Sequence, residues 1–95
     1  MRVDKRLIEF DWDKGNIGKN QKHGVTDKEA EEVFFDEDKV ISKDSFHSIN
    51  EERLILIGKT KEKRLLYLVY TTRGGKVRII SARDINKKEV KFYNK

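Results

Sequence analysis

Apolar and acidic positions alternate through Ile8-Glu9-Phe10-Asp11-Trp12, a period of two that predicts a short strand. Asp13 follows as a helix N-cap, and Trp12 and Ile17 have the spacing of a hydrophobic staple around it. The helix expected over 14–23 is weak, because Gly15 and Gly18 each cost up to about 1 kcal/mol relative to alanine. Gly24 is placed to end it in the left-handed conformation. Thr26-Asp27-Lys28-Glu29 has capping-box spacing and predicts a second helix running to Phe35, with Ala30, Val33 and Phe34 inward and Glu31 and Glu32 toward water. Four strand-like segments come next: a looser one at Lys39–Ser42, then Arg53–Lys59, Leu65–Thr72 and Val77–Arg83. Asn86 to Tyr93 reads as a short C-terminal helix. The order predicts an α+β fold in one domain spanning 1–95, a small antiparallel sheet with two N-terminal helices and a short C-terminal one.

Gly74-Gly75 is the strongest turn signal, because both positions tolerate positive φ. A two-residue turn there pairs Arg73 with Lys76 and Thr71 with Arg78. Thr71, Arg73, Lys76 and Arg78 then share one face, with Tyr67 and Ile80 further along. Leu66, Leu68, Tyr70, Val77 and Ile79 share the other, the candidate core face. A three-residue loop would shift these assignments. Arg78 and Arg83 are an odd number of residues apart, so a regular strand cannot aim both at one place. Either Arg83 lies beyond the strand, or a bulge intervenes, or one of the two is structural.

Composition narrows the partners. The chain has 95 residues, 41% of them charged, a net charge of +5, and no cysteine or proline. A positive balance favours polyanions such as RNA or DNA, or an acidic protein segment. Without cysteine there is neither a disulfide nor a thiolate metal site, which suits a reducing cytoplasm. The longest apolar run, Leu65 to Tyr70, is far below the roughly 18 residues of a membrane span, and MRVDKRLIEF shows no secretion signal. His23 and His47 lack companions at metal-ligand offsets, so no metal or other cofactor is expected.

On a helix over 14–23, Asn16, Lys19, Asn20, Lys22 and His23 form one polar arc, with Ile17 opposite. His23 reads either as a helix-end residue, favourable toward the macrodipole when protonated, or as a working acid or base. Three cations at one end of a sheet face suit phosphate contacts, and equally suit a soluble hairpin tip. Metal-free RNA cleavage needs a proton acceptor, a proton donor and cations to stabilise a phosphorane, and His, Lys, Tyr and Arg are all present.

Taken in order, "FDWDKGNIGKNQKHGV", "EEVFFD", "EERLILIG", "LVYTTR" and "VRIISARDINKKEVKFY" resemble the BrnT family of bacterial toxins over essentially the whole chain. The resemblance implies a RelE-like fold and a metal-independent endoribonuclease that inhibits translation. It implies neutralisation by a ribbon-helix-helix antitoxin, in a two-toxin, two-antitoxin assembly that binds its own operator through the antitoxin. The family pattern falls here on Trp12, Asp13, Lys14, Asn20, Lys22, His23, Gly24, Phe34, Asp36, Arg53, Gly58, Tyr70, Arg73, Arg78, Ser81, Ala82, Arg83, Glu89 and Tyr93. Asp27 departs from it, standing where the family carries an aromatic. From these the expected catalytic set is Lys22, His23, Arg53, Arg78, Arg83 and Tyr93. His23 or Tyr93 would transfer a proton, with Lys19, Arg73 and Lys76 binding RNA. A non-catalytic RNA-, DNA- or protein-binding module is the alternative.

Overall fold

Gly74 and Gly75 fold the longest hairpin of the chain. In the computed structural model, which describes residues 8–45 and 51–94, their φ angles are +59° and +79°. They turn β3 (Leu65–Arg73) directly into β4 (Lys76–Asp84), with Arg73 opposite Lys76 and Thr71 opposite Arg78, the register a two-residue turn requires. Before them β1 (Val40–Lys43) pairs with β2 (Leu54–Lys59), and β2 with β3, so the four strands form an antiparallel sheet in sequence order. The first seven residues and His47, on which the readings of secretion signal and metal spacing partly rest, lie outside the described residues. No helix among the described residues is long and apolar enough to cross a membrane.

One sheet face is covered by α1 (Asp27–Glu32) and the 3₁₀ turn Val33–Phe35 that continues it. The capping box forms as expected: Glu29 N–H donates to Thr26 Oγ1 at 3.0 Å, and Thr26 N–H donates to the Glu29 carboxylate at 3.0 Å. Val25, Ala30, Val33 and Phe34 are buried against Leu56, Leu66, Leu68, Tyr70, Ile79 and Ala82. Phe34 packs edge-on against both Phe10 and Tyr70, with ring centres 5.3 and 5.0 Å apart. The core face is therefore the one the alternation in the hairpin predicts. Glu31 and Glu32 do not simply face water: Glu31 accepts from Trp12 Nε1 at 2.6 Å and Glu32 from Lys61 N–H at 3.1 Å.

The N-terminal segment departs most from expectation. Residues 8–12 make a single parallel bridge, Phe10 to Val77, rather than a strand. The helix expected over 14–23 is a series of turns ending in the 3₁₀ segment Lys19–His23, because Gly18 at φ +67° interrupts it. Ile17 is 57% exposed, so no staple with Trp12 forms. Gly24 does close the segment with φ +71°. Asp27 compensates for its missing aromatic with polar contacts, its two carboxylate oxygens accepting from Gly18 N–H at 3.0 and 3.1 Å.

What this segment does is close the outer edge of β4. An edge strand presents unpaired backbone groups, and here the N-terminal segment supplies partners to four of them in chain order. Val77 N–H donates to Glu9 O, and Asp11 N–H donates to Val77 O, both at 2.8 Å. Asn16 Nδ2 donates to Ile79 O at 3.0 Å and to Asp11 O at 2.9 Å, while its Oδ1 accepts from Asp13 N–H at 2.8 Å. Asn20 Oδ1 accepts from Ala82 N–H at 2.9 Å. Both asparagines are buried, so they leave the exposed polar arc to which the helical spacing assigned them.

Removing either amide exposes the cost of an unpartnered buried group. Asn20→Ala is expected to lose about 1–3 kcal/mol of unfolding free energy, and Asn16→Ala more, since three backbone groups lose a partner. The exposed His23→Ala is expected to stay within about 0.5 kcal/mol. Urea unfolding of the three variants checks this; equal midpoints would contradict the edge-closing role.

Candidate functional site

Opposite the helical layer, the sheet presents two side-chain rows read directly from the register. One runs Ser42, Ile55, Val69, Ser81; the next runs Val40, Ile57, Tyr67, Arg83. Toward the hairpin tip come Thr71 with Arg78, then Arg73 with Lys76. Between Tyr70–Ile79 and Val69–Ser81 the register slips by one, so Ile80 is an extra residue in β4. This bulge resolves the odd spacing: it returns Arg83 to the face that carries Arg78.

The helix α2 (Val90–Tyr93) flanks this face. Val40, Ser42, Ile55, Ile57, Tyr67, Glu89 and Phe92 line a hollow of about 360 Å³. A second hollow of about 410 Å³, which shares Ile55 and Tyr67, extends to Asp44, Arg53, Val69, Ile80 and Ser81. The floor is apolar and aromatic and the rim is charged, a combination suited to a ligand with flat rings and an anionic backbone.

The six residues expected to be catalytic are not gathered at one point. Arg83 lies on the groove with its guanidinium 4.1 Å from the Tyr67 ring centre. It forks onto Glu89, Nη1 to Oε1 at 2.9 Å and Nη2 to Oε2 at 2.7 Å, and Nη1 also donates to Asp84 O at 3.1 Å. The Arg83 hydrogen bonds hold the Glu89 carboxyl below its ordinary range, while Glu89 in turn raises Arg83. Arg78 is 12% exposed at its side chain and sits in a cage of acids, Nη2 donating to Asp13 Oδ1 at 2.9 Å and Nη1 lying 3.7 Å from Asp11 Oδ2. Arg53 and Arg73 share Glu51 at 3.8 and 3.5 Å, and Lys76 lies 3.8 Å from Glu9.

Tyr93 faces elsewhere. Its hydroxyl donates to Asp36 Oδ2 at 2.7 Å, an acceptor that also binds Lys59 N–H at 2.7 Å. Burial and the Asp36 charge push the Tyr93 phenol well above its usual range, so it keeps its proton. Burial pushes Asp36 up, but the bonds from Tyr93, Lys59 and Asp38 outweigh it and leave the carboxyl lowered. Lys19, Lys22 and His23 are exposed and have no side-chain partner among the described residues. They are placed beside the far end of β4, because Asn20 holds Ala82 and Gly24 O accepts from Arg64 Nη1 at 2.8 Å. Arg64 itself clamps Asp84 with bonds of 2.6 and 3.0 Å. Among the described residues no cluster of His, Asp or Glu could hold a metal.

Sequence reasoning missed Arg64, and gave no site role to Glu89 or to Tyr67, which it did place on this sheet face. For Glu89 a signal was present: Asn86-Lys87-Lys88-Glu89 has capping-box spacing, and the two residues exchange backbone–side-chain bonds of 3.0 Å. Arg64 and Tyr67 carry no local signal of their partners.

A small α+β protein with arginines, an aromatic ring and an apolar floor on its open sheet face has the equipment of a nucleic-acid-handling surface. Residues 12–89 match the family model for the ribonuclease toxin, BrnT, of type II toxin–antitoxin systems, and the chain belongs to that family. Membership brings a nuclease activity, an RNA target and a protein antitoxin. No curated protein matches the chain.

The ion pairs of the site set its acid sensitivity. Asp13, Asp84 and Glu89 are lowered chiefly by their arginine partners, and Asp36 is lowered by its hydrogen bonds against the pull of burial. A depressed folded-state value means stability fully present above the ordinary carboxyl range, about pH 5, and lost as pH falls through the depressed values. Thermal unfolding is expected to be flat from about pH 6 to 8 and to weaken progressively below about pH 4.5. Asp84→Asn should unfold earlier at pH 7 yet show a shallower acid limb; a melting temperature that rises on acidification would contradict this account.

Proposed function

We propose that the chain is a metal-independent endoribonuclease that cuts RNA on the open sheet face and so inhibits translation. The observation that supports this reading best is the Arg83–Tyr67–Glu89 cluster, set in the groove of a protein of this family. Arg83 and Arg53 bind the scissile phosphate and stabilise the phosphorane, where positioned cations are worth most. Lys19, Lys22, Arg73 and Lys76 follow the RNA backbone. His23 protonates the departing 5′-oxygen, its exposed ring free to do so. Arg78 braces Asp11 and Asp13 against β4, and Tyr93 fixes α2 through Asp36, so in this reading both act on the site's shape.

The partner is an antitoxin of the ribbon-helix-helix type that dimerises, giving two toxins and two antitoxins on operator DNA. The fold is of RelE-like type, and the protein works in the cytoplasm, where its RNA substrate is. A second reading has one observation in its favour. The arginines of this sheet face, Arg53, Arg73, Arg78 and Arg83, each have an acidic neighbour, as a non-catalytic RNA-binding module would tolerate.

Purified protein is expected to degrade RNA in EDTA, and its expression without antitoxin to arrest growth. Arg83→Ala and His23→Ala should each lower cleavage by about 10²–10⁴-fold at unchanged soluble level. Salt-sensitive RNA binding with intact RNA would select the non-catalytic module instead.

A further inference from the structure

Glu89 belongs to the family pattern, yet no role in the reaction has been given to it. Its side chain is only 15% exposed and lines the groove beside Tyr67, Ile55 and Ile57. An ionised carboxylate has about four lone-pair sites. Glu89 uses three of them: Oε1 accepts from Arg83 Nη1 and Asn86 N–H, and Oε2 accepts from Arg83 Nη2. One site on Oε2 remains. Arg83 has the complementary remainder. Of its five N–H donors, three are committed to Glu89 and Asp84 O, leaving one on Nη2 and the one on Nε.

We propose that Glu89 is the general base of RNA cleavage, taking the 2′-hydroxyl proton on Oε2 while the open Arg83 donors meet the same phosphate. The inference rests on the ribonuclease reading above. A single open lone pair suits one O–H donor; it does not suit the edge of a guanine, which would need two parallel acceptors. Orientation is fixed on both sides. The Arg83 fork lies over Tyr67, and the reciprocal Asn86–Glu89 bonds hold the backbone from which the carboxylate projects.

The step closes without a further reactant. The 2′-O–H bond breaks and its proton passes to Glu89. The 2′-oxygen forms a bond to phosphorus, the P–O5′ bond breaks, and the 5′-oxygen takes a proton from the His23 imidazolium. The products are a 2′,3′-cyclic phosphate and a 5′-hydroxyl end.

The test is single-turnover cleavage of an RNA oligonucleotide by wild type, Glu89→Gln and Glu89→Asp, alongside binding of the same oligonucleotide made fully 2′-O-methyl, which cannot be cleaved. Glu89→Gln keeps an acceptor for Asn86 and for Arg83 but loses the base. It is expected to slow cleavage by about 10²–10⁴-fold while 2′-O-methyl binding changes less than about three-fold. If wild type cleaves and a folded Glu89→Gln cleaves as fast, the base assignment falls and the ribonuclease reading stands. If the variant loses binding and keeps its rate at saturation, Glu89 only shapes the surface, and the assignment also falls. RNA left intact by wild type overturns both. Should Glu89→Gln fail to fold, Glu89→Asp decides. A carboxylate withdrawn by one methylene is expected to cost at least about ten-fold in rate, and an unchanged rate overturns the proposal.

Discussion

Two buried asparagines carry the outer edge of β4, and most of the molecule's functional geometry depends on that edge. A bulge in an edge strand locally disrupts the ladder that an ordinary partner strand would extend. Main chain serves where the strand is regular, at Val77, and side-chain amides take over at Ile79 and Ala82, on either side of the extra residue. A side-chain amide carries the same N–H donor and C=O acceptor as a peptide group, so it can stand in for a missing one. With the edge sealed this way, the bulge becomes a usable device. It turns Arg83 onto the face of Arg78 and Tyr67 while Ala82 stays in the core.

Charge is arranged so that the site is shaped before any ligand arrives. Arg64, Arg78 and Arg83 each tie distant segments together: Gly24 and α1 to β4, the N-terminal segment to β4, and the C-terminal turn to β4. The forked pairs of Arg64 with Asp84 and of Arg83 with Glu89 give direction as well as attraction, because both groups are planar. Their worth lies in holding loops that have little apolar surface of their own. The exposed Lys19, Lys22 and His23 are the complement, a charge reserve not consumed by the fold.

How far the sequence could be read depended on how local each feature is. The Gly74-Gly75 hairpin, the Thr26–Glu29 box and the core face of the hairpin are written within a few residues, and all three form as expected. Asn16 and Asn20 were legible as members of one polar arc. The direction they face was not, since amides at helical spacing suit solvent and a strand edge equally well. Gly18 then removes the helix that the spacing assumed. The odd Arg78–Arg83 spacing announced that something intervenes, and only the register shows that it is a bulge. Tyr93 looked chemical because tyrosine can transfer protons; its partner Asp36 is 57 residues away, beyond any pattern.

Those separations also set an order of events during synthesis. Asn16 meets Ile79 across 63 residues, Asn20 meets Ala82 across 62, and Asp13 meets Arg78 across 65. The motif near the start of the chain therefore has nothing to seal until β4 has been made, and long-range closure of this kind is the slow part of folding. Arg83 and Glu89 arrive later still. A ribosome making this protein therefore carries an unfinished groove until Arg83 and Glu89 have both emerged.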